Sequence, residues 1–129
     1  MREAAKRMGS RRQGREAALR MLYQVEVSSD SVERVIAVFF EGELTDDDPR
    51  LDPAARRFAE RLVRGVAAEK DVLDALIVEG SEHWRIERLA KVDHNVIRLA
   101  LFELLEETGT PPAVVLDEAV ELANAYGSE

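Results

Sequence analysis

Three features of the sequence predict an all-α fold. Apolar residues recur three and four apart in every long segment and nowhere alternate as a half-buried strand would. Breaks rich in Gly, Pro, Ser and Asp divide the chain into five or six helical stretches, with no internal repeat. One stretch, Lys91 to Leu105 (KVDHNVIRLALFELL), is apolar almost all round, as a helix packed from several sides must be. The expectation is a compact helical bundle organised around that stretch.

Residues 1–10 show no helical stripe, and Gly9-Ser10 marks a break. They are expected to form a basic, flexible tail ahead of a helical domain over 11–129. From Arg11 a stripe begins, with Ala18, Leu22 and Val25 on one face and Leu19 beside them. A helix starting there would crowd Arg11, Arg12 and Arg15 into its first turn, against the macrodipole, at about 0.3–1 kcal/mol per charge. Helix stability does not explain such an arrangement, which points towards a ligand. Ser28-Ser29-Asp30-Ser31 reads as a turn, with Asp30 or Ser31 as the next N-cap. Val32, Val35, Ile36, Phe39 and Phe40 then form a core-facing stripe.

Gly42 to Leu51 reads as a loop. Its Asp46-Asp47-Asp48 run lacks the alternating ligands, the glycine and the closing glutamate of a calcium loop, so it is a solvated acidic turn. Asp52-Pro53 is a cap followed by proline at the first helical position. Ala55, Phe58, Ala59, Leu62, Val66, Leu73, Leu76 and Ile77 carry one stripe to about residue 78, with Gly65 marking a close helix approach or a bend. Gly80-Ser81 ends it, and Ser81-Glu82-His83-Trp84 resembles the start of a short helix. In the central stretch Val96, Ile97, Ala100, Leu101, Leu104 and Leu105 mark the expected buried face, which Leu99 and Phe102 widen, with Asp93 as N-cap. From that cap to Glu107 the helix would span about 22 Å, too short and too interrupted to cross a membrane. Thr108 to Pro112 is a break, and Val115, Ala119, Leu122 and Tyr126 mark a last helix with Gly127 following it.

The composition narrows function further. A length of 129 residues suits one domain, 46% hydrophobic and 34% charged residues suit a well-solvated surface, and the absence of cysteine removes disulfides and thiolate chemistry. No signal peptide or long apolar run is present, which makes the cytoplasm the expected location. The net charge of −8 conceals an asymmetry: residues 1–20 hold seven basic and two acidic side chains, and the remainder is strongly acidic. A basic head on an acidic body suits a polyanion partner met at one end, though a solvated terminus has the same composition. Catalysis finds no support. His83 and His94 are eleven apart without a motif, and there is no phosphate-binding glycine loop and no nucleophile with a matching base. No enzyme activity, metal or cofactor is expected. Tyr23 and Trp84 could stack on bases or could simply be core residues.

Taken as an ordered set, several segments resemble the NusB family of transcription antitermination factors. These are Arg15-Glu16-Ala17-Ala18-Leu19 with Leu22-Tyr23, then Phe58 with Leu62-Val63-Arg64-Gly65-Val66, then Val92-Asp93 with Val96-Ile97-Arg98-Leu99-Ala100 and Phe102-Glu103-Leu104. Pro112, Asp117-Glu118-Ala119-Val120-Glu121-Leu122-Ala123 and Tyr126-Gly127 follow at the family's spacing. The resemblance implies a bundle of about seven helices in two packed three-helix subbundles, with the family's last helix missing after Glu129. It implies a non-catalytic protein that binds boxA-type single-stranded RNA of ribosomal RNA leader transcripts. It further implies joint binding with the ribosomal protein NusE, and a role in the transcription complex with RNA polymerase. Carried onto this sequence, Arg11, Arg12, Arg15 and Tyr23 would bind RNA, and Tyr23, Glu87 and Asp93 would face NusE. Capping and partner contact thus stand as two readings of Asp93. Val114 and Asn124 stand where some relatives have lysine, which thins the basic surface. Two other readings go with the same module: the N-terminal RNA-binding part of a ribosomal RNA cytosine-5 methyltransferase, and a homodimer formed over the RNA-binding surface.

Overall fold

Local signals set most of the helix boundaries. A computed structural model of the chain describes residues 2–43, 51–81, 85, 88–107 and 109–127, and among these it contains six α-helices, a π-helical turn and no strand. The chain divides into two units, Met1–Arg64 and Gly65–Glu129, each holding about three helices, and the division falls inside α3 (Pro53–Ala68). No helix among the described residues is long and apolar enough to cross a membrane.

The first unit begins with α1, Arg2–Ser28. The expected break at Gly9-Ser10 is not there, because helix runs through both residues. Ser10 instead donates from Oγ to Asp52 Oδ2 at 2.8 Å. Ala17, Ala18, Leu19, Met21 and Leu22 form the buried face of α1, while Val25 is half-buried. Ser28 Oγ bonds back to the Gln24 carbonyl at 2.7 Å, and Ser29 turns left-handed (φ 62°), which ends the helix. Of the two cap candidates Ser31 is used: its Oγ accepts the Arg34 N–H at 3.1 Å, opening α2, Val32–Val38. The Val32 stripe holds, with Val35, Ile36, Phe39 and Phe40 buried, although the two phenylalanines lie on a π-helical turn, Phe39–Glu43. Residues 44–50, including the acidic run, lie outside the described residues.

Asp52 caps α3 as expected. Its Oδ1 accepts the Ala55 N–H at 2.8 Å while Oδ2 takes the Ser10 hydroxyl, and Pro53 is the first helical residue. Asp52→Ala should therefore lower unfolding stability by about 1–2 kcal/mol, more than an ordinary exposed cap, since two donors lose their acceptor. Urea denaturation checks this, and a loss below about 0.3 kcal/mol would contradict the double role. The guanidinium of Arg64 holds Glu33 through both carboxylate oxygens, at 2.8 and 2.9 Å, joining α3 to α2. That hydrogen bonding keeps the Glu33 carboxyl below its ordinary pKa.

The second unit takes up the end of α3. The stripe expected as one helix to residue 78 is two helices, because Glu69 leaves helical geometry (φ −103°, ψ 14°) and α4 runs Lys70–Gly80. The hydrogen-bond ladder bridges the gap, from Glu69 N–H to the Gly65 carbonyl and from Leu73 N–H to Glu69. Leu73 and Ile77 are buried, but Leu76 is exposed. The close approach expected at Gly65 is real: a Cβ there would fall within the Phe102 ring of α5, Lys91–Glu106.

Helix α5 is rotated and started differently from the sequence expectation. Its N-cap position is Ala90, which offers no side-chain acceptor, and Asp93 lies inside the first turn, where its charge still suits the dipole. The buried residues are Asn95, Val96, Arg98, Leu99, Phe102 and Glu103, whereas Leu104 and Leu105 are exposed and Leu101 is half-buried. Arg98 is buried because Asp74 on α4 meets its guanidinium with both oxygens, each at 2.7 Å, and His94 Nε2 lies 2.8 Å from the same carboxylate. Burial alone pushes the Asp74 carboxyl up, but hydrogen bonds and charge from Arg98 and His94 more than offset this and hold it below the usual value. Pro111-Pro112 opens α6, Pro112–Tyr126, which packs on α5 through buried Val115 and Leu122. Ala119 is half-buried and Tyr126 exposed, so the last stripe is narrower than expected. Gly127 follows with its N–H on the Ala123 carbonyl at 2.8 Å, in extended rather than left-handed backbone.

Candidate nucleic-acid interface

Arg11, Arg12 and Arg15 sit well inside α1, two or more turns from its start at Arg2. The macrodipole argument for a ligand therefore lapses, since that effect fades beyond the first turn. What remains is geometric. Gly14 brings α1 against α3: a Cβ at that position would meet Phe58 Cδ2 at 2.9 Å and the Ala55 carbonyl at 3.0 Å. This crossing places the Phe58 ring under the arginines of α1. The Arg11 guanidinium lies 4.2 Å from the ring centroid and that of Arg15 lies 5.4 Å away. Arg61, from α3 itself, approaches the same ring at 5.4 Å.

The sequence candidates fare differently. Arg11 and Arg12 are exposed on α1. Arg15 is 4% exposed, packed on Phe58, so it offers a ligand little surface and instead braces α1 against α3. Tyr23 is 41% exposed. It follows Arg12 by eleven residues, close to three whole turns at about 3.6 residues each, so the two share one side of α1. Asp93 belongs to the second unit and is half-buried in the first turn of α5. Glu87, like His83 and Trp84, lies outside the described residues. No group of three or more metal-binding side chains occurs among the described residues.

Residues that sequence reasoning passed over are Phe58, as the platform, and Arg57 and Arg61. The i, i+4 spacing of the two arginines was visible, but they lie on the solvent side of a stripe read only for its apolar face. Charge also divides between the units. Met1–Arg64 carries 13 basic and 12 acidic residues, and Gly65–Glu129 carries 5 basic and 14 acidic.

The NusB family model matches residues 12–129. The chain belongs to the NusB family. A transcription antitermination protein NusB from Sorangium cellulosum (strain So ce56) is 48% identical over 122 residues, covering 95% of this chain and 83% of that protein. The structure of T. maritima NusB superposes with a TM-score of 0.77 at 38% identity, covering 92% of this chain and 80% of that one. A complex of the antitermination factors NusB and NusE with dsRNA gives a TM-score of 0.76 at 24% identity, covering 93% of this chain and 85% of that one, a likeness of fold. The NusB relatives are named for transcription antitermination, not for a reaction.

Proposed function

We propose that this chain is a non-catalytic, cytoplasmic, RNA-binding transcription antitermination factor. Its ligand is boxA-type single-stranded RNA of ribosomal RNA leader transcripts, taken together with NusE, and the assembly joins the transcription complex with RNA polymerase. The observation that carries this reading is 48% identity, over 95% of the chain, to a transcription antitermination protein NusB. The match covers 83% of that relative, so little of it is left for an appended methyltransferase domain.

The residues fit the chemistry in kind. Single-stranded RNA is held by cationic side chains along its backbone and by stacking of exposed bases on aromatic rings. Arg11 and Arg12 supply the charge and Tyr23, on the Arg12 side of α1, the ring. Arg15 acts as a positioning residue through Phe58. Asp93 and Glu87 belong to the acidic second unit, whose 14 acidic against 5 basic residues suit a basic ribosomal partner. With few arginines and an acidic body, tight RNA binding should need that partner.

Fluorescence anisotropy of a boxA-like RNA and a scrambled RNA, with and without NusE and across salt, tests this. The expected result is preference for the boxA-like RNA, tightened by NusE, with a log–log salt slope that becomes shallower by about 0.7 for each phosphate-contacting arginine removed. Equal binding of both RNAs and no effect of NusE would reduce the basic segment to a generic polyanion tail.

A further inference from the structure

Helix α3 carries a second set of arginines that the family-based reading does not use. Between Pro53 and Arg64 stand Arg56, Arg57, Arg61 and Arg64 with Glu60 as the sole acidic residue. Arg56, Arg61 and Arg64 each have a contact within the fold. Arg64 is bound to Glu33 and Glu60. Arg56 meets Glu60 at 3.2 Å and stacks over the Phe40 ring at 4.4 Å. Arg57 and Arg61 are the other pair, exposed and four residues apart, hence on one face of the helix.

Arg61 is linked to the α1 site through Phe58. Three guanidiniums approach that one ring, Arg11 at 4.2 Å and Arg15 and Arg61 at 5.4 Å each. No two of their central carbons can then lie more than about 11 Å apart, within about one and a half Debye lengths at physiological salt. The ring itself is buried at 2% exposure, so it presents no face on which a base could stack. Its role is to hold the guanidiniums that surround it. A single stacked arginine is ordinary packing, but three around one ring, with two more arginines adjacent in sequence at Arg12 and Arg57, concentrate like charge along a helix crossing. An anion lying along that crossing would meet the exposed members, Arg11, Arg12, Arg57 and Arg61, while buried Arg15 adds its charge from beneath.

We infer that the RNA surface of this chain crosses from α1 onto α3, where Arg57 and Arg61 contact the RNA backbone beside Arg11 and Arg12. The inference rests on the RNA-binding function proposed above and extends its site to a second helix. Backbone contacts carry no sequence information, so these arginines add affinity equally for every RNA and leave the preference to Tyr23 and the partner.

The test is anisotropy of labelled boxA-like and scrambled single-stranded RNAs against the full chain with NusE, across salt. R57Q/R61Q should weaken both RNAs alike, by about tenfold, and flatten the salt slope by about 1.4, at roughly 0.7 per contact. R57K/R61K should bind nearly as wild type, because lysine restores the charge though not the planar stacking. R34Q, an exposed arginine on α2, should change nothing. Because Arg61 also packs on Phe58, R57E serves where R61Q lowers the melting temperature; Arg57 makes no ring contact among the described residues, and its reversal should weaken both RNAs more than its neutralisation. Wild-type affinity and slope in R57Q/R61Q, alongside a loss in R11Q/R12Q, would confine the site to α1 and overturn this inference alone. No RNA binding by the wild-type chain would overturn the functional reading, and this inference with it.

Discussion

Replacing Arg98 with leucine should lower unfolding stability by about 3 kcal/mol, the lower end of what breaking a buried ion pair costs. Arg98 is 4% exposed, and its guanidinium binds both oxygens of Asp74 at 2.7 Å and Asn95 Oδ1 at 3.0 Å. Without it, the Asp74 carboxylate is left between α4 and α5 with the His94 ring as a weaker partner. A quarter of the Asp74 side chain is exposed, so water relieves part of the loss, which sets the figure at the low end. Asp74→Ala together with Arg98→Leu should cost less than the two single changes added, with a coupling of about 2 kcal/mol in a double-mutant cycle. Urea denaturation at neutral pH measures all three variants, and an R98L protein within about 0.5 kcal/mol of wild type would show that the pair does not hold α4 to α5.

The same pair makes a pH prediction. The Asp74 carboxyl is held below its ordinary value in the folded chain. Its contribution is therefore fully present above the unfolded carboxylate pKa, about 3.9, and is lost as pH falls through the lower folded value. Acid denaturation below about pH 4 should accordingly be less steep in R98L than in wild type, because the shift that generates the dependence depends on Arg98.

What the sequence disclosed and what it hid follow from the range of the interactions involved. Asp52-Pro53 sets a helix start through atoms three residues away and was legible, as was the break before Pro112, while Ser31 was one of two caps the turn offered. The Val35, Ile36, Phe39, Phe40 face was also legible, because apolar periodicity alone carries it. Arg98 was not, since its burial depends on Asp74, 24 residues away on another helix. The cap of α5 was misplaced because Asp93 has the right chemistry three residues too late, while Ala90 has the right place and no side-chain acceptor. Gly9-Ser10 looked like a break because small residues are poor helix formers, yet Ser10 is tied to Asp52, 42 residues on. At the candidate interface Arg11, Arg12 and Tyr23, which the resemblance proposes, are exposed, whereas the burial of Arg15 and the partnership of Arg61 depend on a helix crossing set by Gly14 and Phe58.

The rotation of α5 has its own decisive experiment. Read from sequence, Leu101 lies on the buried face with Leu104 and Leu105, and its truncation would carry a full core penalty. In the folded unit Leu99 is 2% exposed, Leu101 is half-buried and Leu105 is 52% exposed. Leu99→Ala should therefore cost about 2–5 kcal/mol, since it removes packed methyl groups and leaves a cavity that Phe102 and Val96 cannot wholly fill. Leu101→Ala should cost about 1 kcal/mol, as only part of its surface leaves water on folding. Leu105→Ala should stay within about 0.5 kcal/mol of wild type. The ordering matters more than any one value, because all three substitutions delete the same atoms from the same helix. Equal losses at Leu99 and Leu101 would mean that α5 presents the face its apolar residues mark. A steep fall from Leu99 to Leu105 would mean that the buried Arg98, paired with Asp74 rather than apolar, shares in setting the rotation of the helix.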